Sequence, residues 1–393
     1  MQLTEKQRQR EWRDGMAKSI TFIVTKDCQL ACKYCYLIGK NAHERMSFDV
    51  ARQAIDYILN HRELFPEESA VFEFIGGEPF LEIDLIDQIT DYIKFRLYEL
   101  NHPWFNAYRL NFSTNGLLYG SEKVQKYIQK NLTHLSIGIT IDGTKAKHDM
   151  NRVYKDGRGS YDDVVKNIPL WLKQFPSAGT KVTVSSEDLP YICESVLHLF
   201  ELGITTVNIN CVFEDVWKTG DDQLLIDQLM KLADTMIDQA LYIDHTCSFF
   251  SEHIGCPLNP VRDNQNWCGA GKMLSIDAAG NFYPCTRFAA YSLRNKPPII
   301  VGNIHDGIQT NLLRPFLTLT RSVQSTHKCM TCEVANGCAW CQGENYDSAD
   351  SETIFQRSTA ICKMHKARVL ANNYYQSRLN RILQKSEHEE NNR

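Results

Sequence analysis

The chain has 393 residues, of which 43% are hydrophobic and 23% charged, and its formal net charge is −4. This composition is typical of a soluble globular protein, and the lack of a long Lys/Arg run argues against a nucleic-acid or membrane partner. The charged N-terminus has no apolar stretch of the kind found in secretory signals, so we expect a cytoplasmic protein. Fourteen cysteines in a reducing compartment are more typical of metal ligands than of disulfides.

Strand-like runs alternate with helix-like stretches through the first two-thirds of the chain. The strands are predicted at 19–25, 70–76, 108–114, 135–141, 180–186 and 205–213, and helices include 48–60, 83–98, 162–173 and 189–201. Such β/α repeats predict an α/β fold with a parallel sheet and helices outside it. Because a closed eight-repeat barrel would need two more units, we expect a partial (β/α)6 barrel.

The character of the sequence changes after a helical stretch around 221–242. From about residue 247 the chain has nine cysteines, few long helices and a hairpin-like segment at 273–285. We therefore predict a small Cys-rich domain after the barrel, and a charged tail that is partly helical and partly disordered. The predicted divisions are an N-terminal extension at 1–17, the barrel at 18–245, the Cys-rich domain at 246–370 and the tail at 371–393.

Cys28, Cys32 and Cys35 stand close together directly after the first predicted strand, where barrel proteins carry their chemistry. Thiolates select zinc or iron–sulfur clusters, and no CxxC or HxxxH pair nearby would close a structural zinc site. Three cysteines around a four-iron cluster leave one iron open for a substrate or cofactor. A partly buried zinc site or unrelated core cysteines are the alternatives.

The spacing Cys-x3-Cys-x-Tyr-Cys, which includes Tyr34, resembles the signature of the radical S-adenosylmethionine (SAM) enzymes. The resemblance implies that the amino and carboxylate groups of SAM bind the open iron. It further implies that an electron from the cluster breaks the sulfonium bond, and that a 5′-deoxyadenosyl radical then abstracts hydrogen from the substrate. In this class the cofactor supplies the chemistry and the protein orients it.

Polar loops follow the next three predicted strands. Their candidate residues are Gly76, Gly77, Glu78 and Pro79 after the second strand, Ser113 and Asn115 after the third, and Arg152 after the fourth. Glycines allow close backbone approach, the Glu can meet an ammonium group, and the hydroxyl and amide suit a ribose. Taken singly, these could be ordinary turns and a surface arginine. The first loop resembles the GGEP motif of the family, which implies contacts with SAM, and we predict that the arginine binds the SAM carboxylate.

The Cys-rich region resembles the SPASM domain, an extension of many radical SAM enzymes that binds two auxiliary [4Fe–4S] clusters. A zinc ribbon built from the two CxxC pairs is an alternative, although it leaves other cysteines unexplained. One departure is visible, because two residues rather than three separate the last closely spaced cysteines. The resemblance implies a distal cluster on Cys329, Cys332, Cys338 and Cys362, and a proximal cluster on Cys268, Cys285 and Cys341.

The fourth ligand of the proximal cluster is left open by the pattern. We expect Cys256, with Cys247 a poorer choice and an open iron a third possibility. Cys193 and Cys211 are expected to be packing residues, since free cysteine behaves as a small hydrophobe. With the first site, this gives three [4Fe–4S] clusters and SAM as the predicted cofactors.

The SPASM resemblance implies a peptide or protein substrate, and two reactions compete. One is cross-linking of a ribosomally made precursor peptide, most simply a thioether from a cysteine sulfur to a carbon. The other is the formylglycine formation of anaerobic sulfatase maturases, which carry an Asp after the cysteine of the YPC stretch. Here that position is Thr286, and a neutral hydroxyl is too weak a base for the same step. A substrate thiolate held by an open iron would not need that base, so we favour the cross-linking reaction.

A non-catalytic iron–sulfur sensor or scaffold is a hypothesis of another class, but it leaves the polar loops at the strand ends without a role. As partners we expect the precursor peptide and an electron donor such as a flavodoxin or ferredoxin. About eighteen residues precede the first predicted strand, which is too few for a winged-helix module that reads a leader sequence. We therefore expect the barrel rim, the second domain or a separate protein to bind the leader.

Overall fold

The computed structural model describes residues 17–40, 43–266 and 268–391, and the chain divides into two units. The first unit is formed from the described residues of Met1–Ala31, Cys35–Gly138 and Asn266–Leu319. The second is formed from those of Cys32–Tyr34, Ile139–Gln265 and Thr320–Arg393. The predicted N-terminal extension lies outside the described residues except for Ala17. The domain boundaries given above stay predictions.

Eleven named strands form two sheets in this part of the chain. They are β1 (Ala17–Thr25), β2 (Ser69–Gly76), β3 (Tyr108–Thr114), β4 (Leu135–Ile139), β5 (Thr180–Val184), β6 (Thr206–Cys211), β7 (Thr246–Cys247), β8 (Leu274–Ile276), β9 (Asn281–Tyr283), β10 (Gly302–Asn303) and β11 (Gly307–Ile308). The larger sheet has the order β11-β10-β9-β8-β1-β2-β3-β4, and the smaller has the order β5-β6-β7. The β1–β2, β2–β3 and β5–β6 pairs are parallel.

The α-helices of the described residues alternate with the first six strands and then continue through the C-terminal third. They are α1 (Phe48–Asn60), α2 (Ile83–Glu99), α3 (Glu122–Asn131), α4 (Lys145–Asn151), α5 (Tyr161–Val165), α6 (Ile168–Gln174), α7 (Ile192–Glu201), α8 (Asp221–Asp238), α9 (Thr310–Thr318), α10 (Arg321–Gln324), α11 (His327–Met330), α12 (Gln342–Asp347) and α13 (Cys362–Asn391). The predicted α/β class with parallel strands is confirmed. None of the helices described in the structure is both long and apolar enough to cross a bilayer.

Helix α1 begins and ends where the sequence pattern predicts, because its signals are local. Ser47 caps the helix by accepting a hydrogen bond from Val50 N at 3.2 Å, and its apolar stripe is buried. The helix predicted at 162–173 is instead two short helices, α5 and α6. Pro169 stands at the start of α6, where it lacks an N–H and restricts the residue before it, so the first helix ends upstream.

In the first unit, β1 lies inside the larger sheet, and from Ile20 to Thr25 every residue is buried. A strand covered on both faces reads as a mostly apolar run, which Ile20, Phe22, Ile23 and Val24 supply here. The hairpin predicted at 273–285 is confirmed as the antiparallel β8–β9 pair. Its strand β8 also pairs in parallel with Ile20, Thr21 and Phe22 of β1, an arrangement that the sequence pattern does not reveal.

In the second unit, the long C-terminal helix α13 packs along α8. Tyr374 donates a hydrogen bond to Asp234 at 2.7 Å, and Arg378 pairs with Asp238 at 2.9 Å. On the buried side, Leu225, Leu229 and Leu232 of α8 are fully inaccessible to solvent. Cys362 is the first residue of α13.

Candidate functional site

Two glycines join the loop after β2 to the loop after β1. Gly77 N donates to Thr25 O at 3.0 Å, and Glu78 N donates to Asp27 O at 2.9 Å. A Cβ on Gly76 would lie 2.1 Å from Thr25 O, and one on Gly77 would lie 2.2 Å from Asp27 O. Only glycine allows this approach, which places the GGEP backbone directly beside the residue that precedes the first cysteine.

The carboxylate of Glu78 connects the loops after β2 and β3. It is 1% exposed and accepts hydrogen bonds from Phe80 N at 3.1 Å, Thr114 Oγ1 at 2.7 Å and Asn115 N at 2.8 Å. A carboxylate buried at this depth requires such donors. The side chain therefore holds two strand-end loops together, a role that the sequence pattern does not predict.

Asn115 lies against the first cysteine of the loop after β1. Its side-chain amide donates to Gln29 Oε1 at 3.1 Å and lies 3.9 Å from Cys28 Sγ. Cys28 is buried, and its backbone N–H donates to Asp27 Oδ1 at 2.9 Å. Ser113 is exposed, because side chains alternate along β3 and its neighbours Phe112 and Thr114 point inward. The predicted contacts of Asn115 and Ser113 with SAM stay predictions.

In the second unit, Tyr34 is held by two charged side chains. Its hydroxyl donates to Asp142 Oδ2 at 2.5 Å and accepts from Arg152 Nη1 at 2.9 Å. Asp142 is fully buried and also accepts from Thr183 N at 3.1 Å. In the loop itself, Lys33 N donates to the Asn151 carbonyl at 3.0 Å. The loop segment that carries Cys32 is thus fixed against the C-terminal end of α4.

The charges around Asp142 balance one another within the second unit. Burial opposes ionisation, but the positive charges of Lys147 and Arg152 hold the pKa of Asp142 below its ordinary value. Lys147 is fully buried and lies 3.2 Å from Asp188, which is also buried. Two cations and two carboxylates therefore share this interior, so removal of one charge leaves another without compensation.

Arg152 is 6% exposed, and its Nε has no hydrogen-bond partner among the described residues. Its backbone carbonyl accepts from Ser160 Oγ at 2.8 Å, and His148 Nε2 lies 3.0 Å from the same hydroxyl. Burial works against its charge, but Tyr34 and Cys32 outweigh that effect and raise its pKa. The predicted anion-binding arginine is thus a fixed, buried cation near Cys32 with an unsatisfied donor.

Cys285 and Thr286 lie near Tyr36, the residue that follows Cys35, and all four belong to the first unit. The Thr286 side chain is hydrogen-bonded to the Tyr36 hydroxyl, and burial raises the pKa of Tyr36 to about 12. The guanidinium of Arg287 lies over the Tyr36 ring, 4.7 Å from its centroid. Position 286, which distinguishes the cross-linking reaction from formylglycine formation, therefore carries the neutral hydroxyl of Thr286. The cation of Arg287 lies beside it.

Four cysteines line one cavity of about 180 Å³ in the second unit. They are the predicted distal ligands, namely Cys329, Cys332, Cys338 and Cys362. Short turns present them, because Thr326 caps α11 through Cys329 N and Cys362 begins α13. The structure brings these four residues together around one cavity, and their assignment as cluster ligands stays a prediction.

Across the described residues, no three Cys, His, Asp or Glu side chains converge closely enough to bind a single metal ion. A zinc ion with thiolates at about 2.3 Å needs that convergence. In a four-iron cluster each cysteine binds a different iron, so the thiols surround a larger space. The choice between zinc and a four-iron cluster at this cavity stays a prediction.

The predicted proximal ligands come from both units. Cys268 and Cys285 belong to the first unit, whereas Cys256 and Cys341 belong to the second. Cys256 is exposed, and Asn336 Nδ2 donates to its sulfur at 3.4 Å. Cys247 is 3% exposed, and burial raises its pKa to about 11, which disfavours the thiolate that a metal ligand must provide. Of the two candidates for the fourth ligand, Cys256 is the accessible one.

The two cysteines expected to be packing residues differ in their surroundings. Cys193 is 1% exposed in α7. Cys211 ends β6 and lines a cavity of about 60 Å³ with Phe249 and Arg368, and burial raises its pKa to about 12. Neither thiol is among the four that line the four-cysteine cavity.

A sequence model of the Radical SAM superfamily matches residues 22–188. This segment is a radical SAM domain. The match begins inside β1 and contains the three-cysteine loop, the GGEP turn and Arg152. The predicted radical SAM domain is confirmed over this segment, and the family implies SAM and a [4Fe–4S] cluster.

The chain is similar to several curated proteins. Uncharacterized protein MJ0907 of Methanocaldococcus jannaschii is 28% identical over 298 residues, covering 75% of this chain and 90% of that protein. A cysteine-type anaerobic sulfatase-maturating enzyme of Clostridium novyi is 28% identical over 159 residues, 39% of this chain and 40% of that enzyme. The subtilosin biosynthesis protein AlbA of Bacillus subtilis is 25% identical over 333 residues, 82% of this chain and 66% of that protein.

Solved structures show the same fold. Native anSMEcpe with bound AdoMet and Kp18Cys peptide matches with a TM-score of 0.66 and 17% identity, covering 92% of this chain and 99% of that chain. Streptococcus suis SuiB bound to its precursor peptide SuiA matches with a TM-score of 0.55 and 16% identity, covering 88% of this chain and 75% of that chain. At these identities, the matches establish the fold, including its Cys-rich C-terminal region.

Sequence reasoning missed several residues of the radical SAM domain and of the four-cysteine cavity. Asp142 lies three residues after the end of β4, so its place in the loop at the carboxyl end of a strand was a signal that could have found it. Lys147 is fully buried on a helix that reads as polar, and no local pattern indicates that. Arg321 and Arg357 approach the cysteine cavity from distant positions in the sequence, and only the folded chain shows this.

Proposed function

We propose that this radical SAM protein is a peptide maturase that installs a thioether cross-link, from a cysteine sulfur to a carbon, in a ribosomally synthesised precursor peptide. The observation that carries the proposal is Thr286, which stands where the sulfatase maturases have an Asp. Its side chain is hydrogen-bonded to Tyr36, and the adjacent Arg287 adds a positive charge. A hydroxyl in this setting does not perform a carboxylate's proton abstraction.

SAM and the first cluster, when bound, supply the 5′-deoxyadenosyl radical that removes hydrogen from the peptide. Cys28, Cys32 and Cys35 would hold that cluster. The backbone of Gly76–Pro79 would contact the amino group of SAM, and Glu78 would keep that loop in place. Arg152 would bind the SAM carboxylate through its unsatisfied donor, with Tyr34 and Asp142 fixing its orientation.

Two auxiliary clusters complete the proposed cofactor set. The distal one would be held by the cysteines of the 180 Å³ cavity, which supports this assignment by its lining. The proximal one would be held by Cys268, Cys285 and Cys341, and its fourth position would be taken either by Cys256 or, as the cross-linking reaction needs, by the substrate thiolate at an open iron. The partners would be a precursor peptide and an electron donor such as a flavodoxin or ferredoxin.

The deciding experiment uses the anaerobically reconstituted full-length protein, SAM, a reductant and a short Cys-containing peptide encoded beside its gene. We expect SAM cleavage to 5′-deoxyadenosine, and a product that has lost two hydrogen atoms and one alkylatable thiol. Thr286→Ala should retain cross-linking within roughly tenfold of wild type, because the hydroxyl is not a base in this reaction.

Formylglycine formation is the competing reaction, and the similarity to a sulfatase-maturating enzyme favours it. A sulfatase peptide converted to an aldehyde that traps a hydrazine would replace the cross-linking proposal. Loss of peptide modification by several orders of magnitude in Thr286→Ala, with SAM cleavage intact, would also contradict it. If the reduced protein does not cleave SAM, a non-catalytic iron–sulfur protein becomes the better description.

A further inference from the structure

The four-cysteine cavity has an arginine bound to one of its thiols. Arg357 lines the cavity, and its Nη2 donates to Cys338 Sγ at 3.3 Å. Its Nη1 donates to Ser325 Oγ at 3.0 Å, so hydrogen bonds from both Nη1 and Nη2 hold the guanidinium in place. Thr326 adds a second hydrogen bond to sulfur, from Oγ1 to Cys329 Sγ at 3.3 Å.

A second arginine is buried beside the first. Arg321 is 5% exposed, and its Nε and Nη1 have no hydrogen-bond partner among the described residues. Both guanidiniums lie against the Trp340 indole, Arg321 at 5.0 Å and Arg357 at 5.5 Å from the ring centroid. Burial and the charge of Arg357 lower the pKa of Arg321. Two cations held this close need a strong negative charge nearby.

The nearby protein groups do not supply that charge fully. Asp263 is the carboxylate whose charge acts on Arg321, and it is already paired with Arg262 at 2.9 Å. The remaining lining of the cavity is basic or neutral, because Lys328, Lys366 and His365 are part of it. A cluster with four thiolate ligands carries net negative charge and gains one more on reduction.

Positive charges and N–H···S hydrogen bonds therefore stabilise the reduced state of such a cluster more than its oxidised state. We propose that Arg357, supported by Arg321, raises the reduction potential of the iron–sulfur group that these four cysteines would hold. This inference rests on the proposed function.

The test is the midpoint potential of this cluster in the reconstituted full-length protein, followed by electron paramagnetic resonance without substrate. The signal is assigned to this cluster by its absence from Cys332→Ala. In Arg357→Gln we expect the reduced-to-oxidised ratio at a fixed potential to fall at least tenfold, which is about 59 mV more negative for one electron. Arg357→Lys keeps the charge and should shift less.

Arg378→Gln is the matched control, since Arg378 pairs with Asp234 and Asp238 on α8 and should leave the potential unchanged. An unchanged potential in Arg357→Gln overturns the inference and leaves the proposed function untouched. Loss of the cluster from both Arg357 variants also overturns it, because the arginine would then serve cluster assembly. If wild type shows no such cluster, the proposed cofactor set fails as well.

Discussion

Removal of the negative charge of Asp142 should destabilise the second unit strongly. Asp142 is fully buried, receives hydrogen bonds from Tyr34 and Thr183, and balances the charges of Lys147 and Arg152. Asp142→Asn keeps the shape of the side chain but leaves one buried cation uncompensated. Breaking a buried ion pair in this way costs about 3–5 kcal/mol, whereas one neutral hydrogen bond contributes about 0.5–1.5 kcal/mol.

The assay is denaturant-induced unfolding under anaerobic conditions, compared across three variants. Tyr34→Phe should cost much less than Asp142→Asn, because it removes hydrogen bonds and no charge. Asp163→Asn is the matched control: its carboxylate pairs with Arg158 and Lys166 at the surface and should cost about 0–1 kcal/mol. If Asp142→Asn is no more destabilising than Asp163→Asn, the proposed charge balance is wrong. SAM binding should weaken in both Asp142→Asn and Tyr34→Phe, since both alter the support of Arg152.

Three further predictions test other parts of the site. Gly77→Ala should weaken SAM binding at least tenfold, because the added Cβ would lie 2.2 Å from the Asp27 carbonyl oxygen and the loop must move. Calorimetry measures the affinity, and an unchanged value would contradict the close approach. Cys332→Ala should remove about four irons per chain on iron analysis, whereas Cys193→Ala should remove none; equal iron contents would argue against the cavity as a cluster site. Burial lowers the pKa of His148 to about 3, so the folded protein binds fewer protons than the unfolded chain below pH 6.5 and loses stability as pH falls. Between pH 7 and 5 the unfolding free energy of the wild-type protein should fall more steeply than that of His148→Gln, by up to about 1.4 kcal/mol per pH unit. Parallel pH profiles of the two proteins would refute this.

The features predictable from sequence are those that local signals determine. The three-cysteine spacing, the GGEP turn and the CxxC pairs lie within a few residues each, so their chemistry is visible without the fold. Helix α1 is predicted correctly for the same reason, because its cap and apolar stripe are contiguous.

What the sequence did not reveal depends on distant contacts. The carboxylate of Glu78 accepts hydrogen bonds from Thr114 and Asn115, which lie more than thirty positions away in the sequence. Asp142 reaches Tyr34 across 108 positions, and Arg321 and Arg357 meet at one indole. No periodicity or spacing specifies such convergence, because it is set by the packing of whole elements.

The parallel pairing of β8 with β1 has a consequence for synthesis of the chain. Ile20 of β1 pairs with Leu274, about 250 positions later, so the partner strand leaves the ribosome long after β1 does. At about 5–20 residues per second, the delay is roughly 12–50 s. During that time an apolar strand has one open edge, which is a template for wrong pairing. A fragment that stops at residue 245 would keep that edge open permanently, so truncation of the Cys-rich region should cause aggregation even where the first cysteine loop is intact.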